Sequence, residues 1–515
     1  TILVIEPSPL EKDMLWVSTD DGRVHYTLNG GETWSDVTKN IKGLPEGSWI
    51  PQIKASNKNK GEALLIANDY RRFNYTPYAY RTNDYGKTWK RIVDEDDVES
   101  YTLSIVEDIK EPNLLFLGTD DGLYISIDAG ENWTKWTQGF PTVPVKDLVI
   151  QEREHDLVIG TFGRAAWVLD DIRPLRTIAR NKNVLASKLT FFKPPTAIQA
   201  AYQQPTGSRF GADALYNAEN RRFGAQLSYY VTIEENKKDS KTKKDKNSKK
   251  DSDTDSEIEE SKLKWDSLTM QVYDGERLIR TLKQKAPKES GVYKWTWFLR
   301  EKGVERPSRR INKSKREPSG VTVKPGDYKV VLSFGDQTSE QVITVKSDPR
   351  LNVSQKSIDE VYAMSKELET ITQTVSDAVK QLNESKAIAE KFTKNLSTLD
   401  KTKYKAEIKD SKDLVKSIDD LIGLYLGKVD KRQGITRNPE INISQRIRTA
   451  SGYVYSRKNG ITETEKTLVK HAKDAVKDVL NKTNAFFDDD WKAYQSKMES
   501  IKTSPFKDIK SFSLD

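Results

Sequence analysis

Cysteine is absent from this chain, and 515 residues hold only three histidines and four methionines. Without thiols the polypeptide has no disulfide staple, no cysteine nucleophile and no thiolate metal site. The histidines, His25, His155 and His471, lie far apart and give no metal-ligand spacing, so no metal is expected. No apolar run approaches the ~20 residues that a membrane-spanning helix needs. No glycine-rich phosphate loop follows a strand-like run and no nucleophile elbow occurs, so no nicotinamide or nucleotide cofactor is expected. Charge of neither sign dominates: 85 Lys and Arg stand against 77 Asp and Glu, a net charge of +8. Basic residues scattered among nearly as many acids do not make a nucleic-acid surface.

What is present is repetition. Three copies of one turn motif read Thr27-Leu-Asn29-Gly-Gly31-Glu-Thr33-Trp34, Thr82-Asn-Asp84-Tyr-Gly86-Lys-Thr88-Trp89 and Ser126-Ile-Asp128-Ala-Gly130-Glu-Asn132-Trp133. The Asp or Asn side chain can accept hydrogen bonds from the turn backbone. The Gly supplies positive φ, and the Trp opens the next strand as a packing anchor. Ahead of the first copy runs Leu15–Gly22, and ahead of the third the parallel Leu115–Gly122; a fourth unit, Leu157–Arg164, follows without a turn motif. Apolar runs at Ile2–Ile5, Ile50–Ile53, Tyr101–Val106 and Val145–Ile150 give each unit an inner strand. Four strands recurring every ~40–50 residues are the signature of propeller blades.

The motif resembles the Asp-box (BNR) repeat of sialidase-like and sortilin-like β-propellers, among them large bacterial proteins described as glycosyl-hydrolase-like. That resemblance covers about the first 175 residues and implies more blades than four. Residue 1 is already a strand residue, and the fourth unit stops after its third strand, at Trp167-Val-Leu-Asp170-Asp171-Ile172-Arg173-Pro174. An unpaired blade edge invites pairing. The expectation is therefore the C-terminal part of a larger ring, with its N-terminal remainder a partner in the same or a separate chain. A four-unit ring closed on itself is the other reading.

At this length roughly three domains are expected. Residues 1–175 read as blades and 176–205 as a Pro-containing connector anchored by Phe191-Phe192-Lys193-Pro194-Pro195. Residues 206–350 read as a small β-sandwich with strands near Ala225–Val231, Leu268–Tyr273, Tyr293–Trp297, Tyr328–Leu332 and Gln341–Val345. Val323-Lys-Pro325-Gly326-Asp-Tyr328 resembles a late hairpin of fibronectin-like accessory domains. An insert at 234–262, lysine-rich then acidic, has too few apolar residues to bury a core and reads as a solvated extension. From 351 to 515 the period becomes helical: Ile358, Val361, Leu368, Ile371, Val375 and Leu382, then Ile408 to Tyr425 ending near Gly427. A third helix starts at the capping box Thr462–Glu465, and a last segment carries Phe486, Phe487, Trp491 and Tyr494. The fold class is multidomain, β then α: partial propeller, fibronectin/Ig-like sandwich, helical bundle of three or four helices.

In this motif the Asp-box joins a blade's third and fourth strands, so Asn29, Gly31, Trp34, Asp84, Gly86, Trp89, Asp128, Gly130 and Trp133 are structural. The turns between second and third strands emerge on the opposite rim. They carry Asp20 and Asp21, Asp120 and Asp121, and Phe162 and Arg164. The second unit instead has a long insertion, Asn68 to Tyr78, bearing Tyr70, Arg71, Arg72, Phe73, Tyr75 and Tyr78. Carboxylates, guanidiniums and aromatic faces on one rim suit a peptide, a glycan or a partner protein. For Asp20, Asp21, Asp120 and Asp121 the reading preferred to a ligand site is an ordinary Asp-Gly hairpin turn. The resemblance also raises glycosidase chemistry. A sialidase needs an arginine cluster, to which Arg71, Arg72 and Arg164 could belong. It also needs a Tyr nucleophile with its Glu and an Asp acid/base, and no Tyr/Glu pair can be matched here. A paired-carboxylate mechanism needs two acids ~5–10 Å apart. Two readings stand: a non-catalytic recognition protein of the bacterial envelope or exterior, and a glycoside hydrolase whose catalytic residues lie partly in absent blades. The exterior location, periplasmic, outer-membrane-associated or secreted, is implied by the resemblance alone.

Overall fold

The computed structural model describes residues 1–200, 222–234, 265–310, 314, 316–428 and 441–501. The charged insert at 234–262 therefore lies, Glu234 apart, outside the described residues. The described residues form two compact units: Thr1–Lys193 with 228–234 and Pro287–Lys294, and the remainder.

The first unit is built from four antiparallel meanders, each hydrogen-bonded in chain order. The first contains β1 (Ile2–Pro7), β2 (Leu15–Thr19), β3 (Val24–Thr27) and β4 (Ser35–Asp36). The second contains β5 (Trp49–Ala55), β6 (Ala63–Asp69), β7 (Asn74–Thr82) and β8 (Lys90–Arg91). The third contains β9 (Thr102–Glu107), β10 (Leu115–Thr119), β11 (Gly122–Ser126) and β12 (Thr134–Lys135). The fourth has three strands, β13 (Val145–Gln151), β14 (Asp156–Thr161) and β15 (Ala166–Leu169).

Strand alternation explains how these sheets stack. β6 is buried along its whole length. Its Ala63, Leu65 and Ala67 join one core with Trp16 and Ile50, while Leu64 and Ile66 join the next with Ile105 and Leu117. β10 does the same, sending Leu115 and Leu117 to the second core and Phe116 to the third, with Leu148 and Ile159. Inner sheets buried on both faces and stacked in sequence order are β-propeller blades.

Each turn motif folds around its own side chains. Asn29 Oδ1 accepts from Thr27 Oγ1 and from the Thr33 N–H, and Thr27 Oγ1 accepts from the Gly31 N–H. Asp84 with Thr82 and Thr88, and Asp128 with Ser126 and Asn132, repeat this network. Gly86 and Gly130 have φ of +77° and +93°. A Cβ on either would stand 3.0 Å from the residue that follows the fourth strand of the preceding sheet, Val37 or Ile92. Glycine there serves both the turn and the blade-to-blade contact.

The end sheets differ from the inner ones. On the first, Ile2, Ile5, Leu28 and Trp34 are exposed. On the fourth, Val149 pairs with Val158 and Val158 with Val168 across three strands, and Val149 and Val168 are exposed.

Residues after the blades carry their own elements rather than a plain connector. Helix α1 (Arg173–Arg180) packs Ile178 against Phe192 and Tyr230. Its Arg176 makes a buried bidentate pair with Asp108 at 2.6–3.0 Å and touches His155 Nδ1 at 2.9 Å. Among the described residues ten further strands follow: β16 (Leu189–Phe191), β17 (Ala197–Gln199), β18 (Ala225–Val231), β19 (Ser267–Asp274), β20 (Arg277–Lys285), β21 (Gly291–Trp297), β22 (Arg300–Lys302), β23 (Ser319–Thr322), β24 (Gly326–Phe334) and β25 (Gln337–Ser347). They form sheets ordered β16-β18-β21, β17-β25-β24-β19-β20 and β22-β23. The five-stranded sheet is mixed, because β17 runs parallel to β25. The periodicity does not single out β17, β20, β22 or β23; β20 carries four charged residues in nine positions, and the other three are only three or four residues long.

The helical region comprises α2 (Gln355–Asp400), α3 (Lys405–Leu426), α4 (Ile443–Ser456), α5 (Glu463–Phe486) and α6 (Lys492–Glu499), the last two joined by a π turn. Gly427 ends α3 with φ +78°, and the Thr462–Glu465 capping box starts α5. α4 is an addition to the expected set. It buries only Ile443, Ile447, Ala450 and Val454 among Ser, Thr, Gly and Arg, a thin apolar stripe. Among the described residues no helix is long and apolar enough to cross a membrane.

Candidate binding surface

In an antiparallel meander the start of the first strand lies at the same end as the turn joining the second and third. Trp49 opens β5 opposite Asn68 near the end of β6, and Thr102 opens β9 opposite Thr119. One rim therefore combines the strand 2–3 turns with the residues that lead into each first strand.

The second sheet dominates this rim. Asn68, Asp69 and Asn74 to Tyr78 belong to β6 and β7, so the insertion is shorter than the sequence suggested. It is a single 3-10 turn, Tyr70–Arg72, followed by Phe73 in the left-handed region at φ 61°. A bulky residue there is strained, and Phe73 is 85% exposed. Arg72 is held by its own partners: its Nε meets Asp69 Oδ1 at 2.6 Å and its Nη2 donates to the Glu46 carbonyl at 2.8 Å. Tyr78 leaves the rim altogether. It is buried in the core beneath, receives Asn74 Nδ2 at 3.0 Å, and lies under the Arg91 guanidinium. Period-two alternation turns Tyr78 inward together with Tyr80, whereas Tyr75 points out.

The aromatic groups that remain at the rim meet. Tyr70 stacks on Tyr101 at 4.8 Å and 16°, Tyr75 reaches the same Tyr101 at 6.1 Å, and Trp49 lies 6.3 Å from Tyr70. The Arg71 guanidinium sits 4.0 Å from the Trp49 ring centroid and 5.8 Å from that of Tyr70. Tyr101 and Trp49 were not singled out in the sequence. Their signal was positional: each stands at the head of an inner strand.

The rim acids are already engaged. Asp120 accepts the Tyr101 hydroxyl at 2.8 Å; burial first and that hydrogen bond second push the Tyr101 phenol well above its ordinary value. Asp121 takes Lys135, the Thr119 hydroxyl and the Tyr124 hydroxyl. Burial raises its carboxyl, but these partners together outweigh that and hold it below the usual range. Asp21 pairs with Arg23 at 3.4 Å, and the Asp20 N–H donates to the Thr1 carbonyl at 3.0 Å. Phe162 is exposed, with Lys146 Nζ 6.0 Å from its ring. Arg164 is exposed, and its carbonyl accepts the Trp167 indole at 2.9 Å. The structure thus unites Tyr70, Arg71, Tyr75 and Asp120 around Tyr101, and no described contact joins Asp20, Asp21, Phe162 or Arg164 to them.

Among the described residues no cluster of His, Asp or Glu could hold a metal ion. No protein-family profile matches the chain, and no curated protein matches it. Solved structures are similar in part. The GH74 xyloglucanase from Xanthomonas campestris is 15% identical over 33% of this chain and 29% of its own, with a TM-score of 0.26. YCF48 from Cyanidioschyzon merolae is 17% identical over 33% and 53%, with a TM-score of 0.26. The extracellular domain of BT3049 from B. thetaiotaomicron is 9% identical over 67% and 38%, with a TM-score of 0.28. The chain thus spans between about three-tenths and half the length of these proteins. Likeness of this size assigns no activity to the chain.

Proposed function

We propose that the chain is a non-catalytic recognition protein whose propeller rim binds a peptide or glycan. One observation carries this reading: the Trp49–Arg71–Tyr70–Tyr101–Tyr75 surface presents stacked rings beside a cation. Flat faces and a guanidinium bind polar polymers by stacking and bidentate hydrogen bonds. The nearby carboxylates, Asp120 and Asp121, are spent on internal partners, which speaks against their use as an acid/base pair. Capture of immobilised peptides and glycans by the intact chain tests the proposal, with Arg71→Ala expected to lose it. Turnover of glycosides by the chain, abolished by Asp120→Asn, would instead favour the hydrolase reading.

The turn motifs fit Asp-boxes of the sialidase-like and sortilin-like type, and the mixed sheet with its neighbours fits an accessory sandwich of the fibronectin kind. Both support a location at the cell envelope or exterior. The uncovered faces of the first and fourth sheets support further blades, from the same or a separate chain, as partners. The inner sheets supply the precedent, because every inner face meets another sheet.

A further inference from the structure

The second unit contains a cleft of about 810 Å³ that the rim reading does not use. Its walls are one face of α2, one face of α4 and the short β22–β23 sheet. From α2 come Ile358, Val361 and Leu368; from α4, Ile447 and Ser451; from β23, Val321. The spacing of three and four residues on each helix makes these continuous stripes. The size is that of a small-molecule pocket, and the apolar stripes are bordered by polar and charged side chains.

Charge distinguishes this cleft from a packing defect. Its two carboxylates are committed: Glu369 to the Val321 N–H at 3.0 Å and Lys366 at 2.6 Å, and Asp348 to Arg350 at 2.6 Å. Lys324 and Arg457 are neutralised by Asp359 and Glu465. Three arginines keep uncompensated charge. Among the described residues Arg300 donates only to neutral acceptors, the Tyr455 hydroxyl at 2.8 Å and the Gly320 carbonyl at 3.3 Å. Arg306 and Arg448 make no ion pair among the described residues. The Ser444 hydroxyl on the same face of α4 is buried without a hydrogen-bond partner among the described residues. An apolar trough edged by unpaired guanidiniums and an unsatisfied hydroxyl matches a ligand with an apolar tail and an anionic head.

We propose that this cleft binds an anionic amphiphile, an alkyl chain ending in a carboxylate or phosphate. The tail lies along Ile358, Val361 and Ile447, and the head meets Arg300 and Arg448. The head group alone gains too little, since exposed charge contacts are weak without desolvation of the tail.

Calorimetric titration of the full chain with dodecanoate, dodecyl phosphate, dodecyl maltoside and inorganic phosphate, all below micelle formation, tests this. Saturable binding of one anionic amphiphile per chain is expected, and whichever of the carboxylate or phosphate binds more tightly identifies the head. Arg300→Gln with Arg448→Gln should weaken binding at least roughly tenfold, the scale of one charge-assisted hydrogen bond. Ser451→Phe, which fills the trough from a partly exposed position, should abolish binding with the melting temperature unchanged. Equal affinity for the maltoside, or unchanged binding in folded Ser451→Phe, would overturn the assignment.

Discussion

Trp133 donates its indole N–H to the carbonyl of Ile92 at 2.8 Å, so the anchor of the third turn motif is held by the second sheet. Trp89 of the second motif lies likewise in the core of the first sheet, 6.0 Å from Trp16. Trp34, the same residue in the first motif, is 45% exposed, and a Cβ on its Gly31 would meet only Trp34 itself. One motif position is thus core in two copies and surface in the third. Trp133→Phe should cost about 1–2 kcal/mol, because it leaves the Ile92 carbonyl without its donor. Trp34→Phe should change stability by less than about 0.5 kcal/mol. Denaturant melts of the two variants check this, and equal losses would contradict it.

The same contrast predicts where association occurs. Ile5→Glu with Trp34→Glu alters only exposed side chains of the first sheet, so the melting temperature should hold. Concentration-dependent association, or capture of a polypeptide bearing further turn motifs, should disappear. Sedimentation velocity across a concentration series reads the outcome; association persisting in the variant would move the docking face elsewhere.

Arg71 and Arg72 are adjacent in sequence and differ in their contacts. Arg72 bridges Asp69 and the Glu46 carbonyl, whereas Arg71 lies over Trp49 and makes no ion pair among the described residues. Arg72→Ala should lower stability by about 1 kcal/mol, reduced from a buried pair's value because half of the side chain is exposed. Arg71→Ala should leave the melt in place and weaken peptide or glycan capture. If the two phenotypes are reversed, the surface is a structural brace rather than a binding site.

These pairs also show what the sequence could reveal. The turn motif was legible because its hydrogen bonds run between residues two and four apart, Asp84 to Thr82 and Thr88 for example. The alternation within β6 was equally local. The proposed site was less legible because its centre, Tyr101, meets Tyr70 and Asp120 from 31 and 19 residues away. Tyr78 was misplaced because the turn closes sooner than its composition implies, and the strand phase then directs it inward. α4 was missed because Gly452 and its Ser and Thr residues dilute a four-residue stripe.

Acid should act on the third motif and spare the first. The Asp128 carboxyl is held down to about 2: burial raises it, but Asn132 by side chain and backbone, Ser126 and Lys182 outweigh burial. A depressed folded value means stability that is present above the unfolded value near 3.8 and is lost as pH falls toward 2. The first motif carries Asn29 at this position and has no such dependence. Asp128→Asn should therefore cost on the order of 1 kcal/mol at pH 7 and flatten the stability profile between pH 4 and 2, about the window set by the two values. Parallel melts over that range give the answer.

His155 supplies the opposite residue type with the same sign. It adopts φ 62°, and its Nδ1 accepts from Arg176 Nη1 at 2.9 Å, which requires the neutral ring. Burial first, then the Arg176, Lys110 and Arg173 charges, depress its pKa, with Asp171 opposing them. The unfolded chain thus binds a proton that the folded chain refuses, so stability falls as pH drops below the unfolded value of about 6.5. Protonation would set an imidazolium against the guanidinium that also holds Asp108, loosening α1 from the third sheet. Asn tolerates the left-handed region, so His155→Asn should keep the fold while removing this slope. Thermal melts between pH 7.5 and 5 should show a steeper decline for the parent than for the variant, and identical slopes would mean that Arg176 is not coupled to this ring.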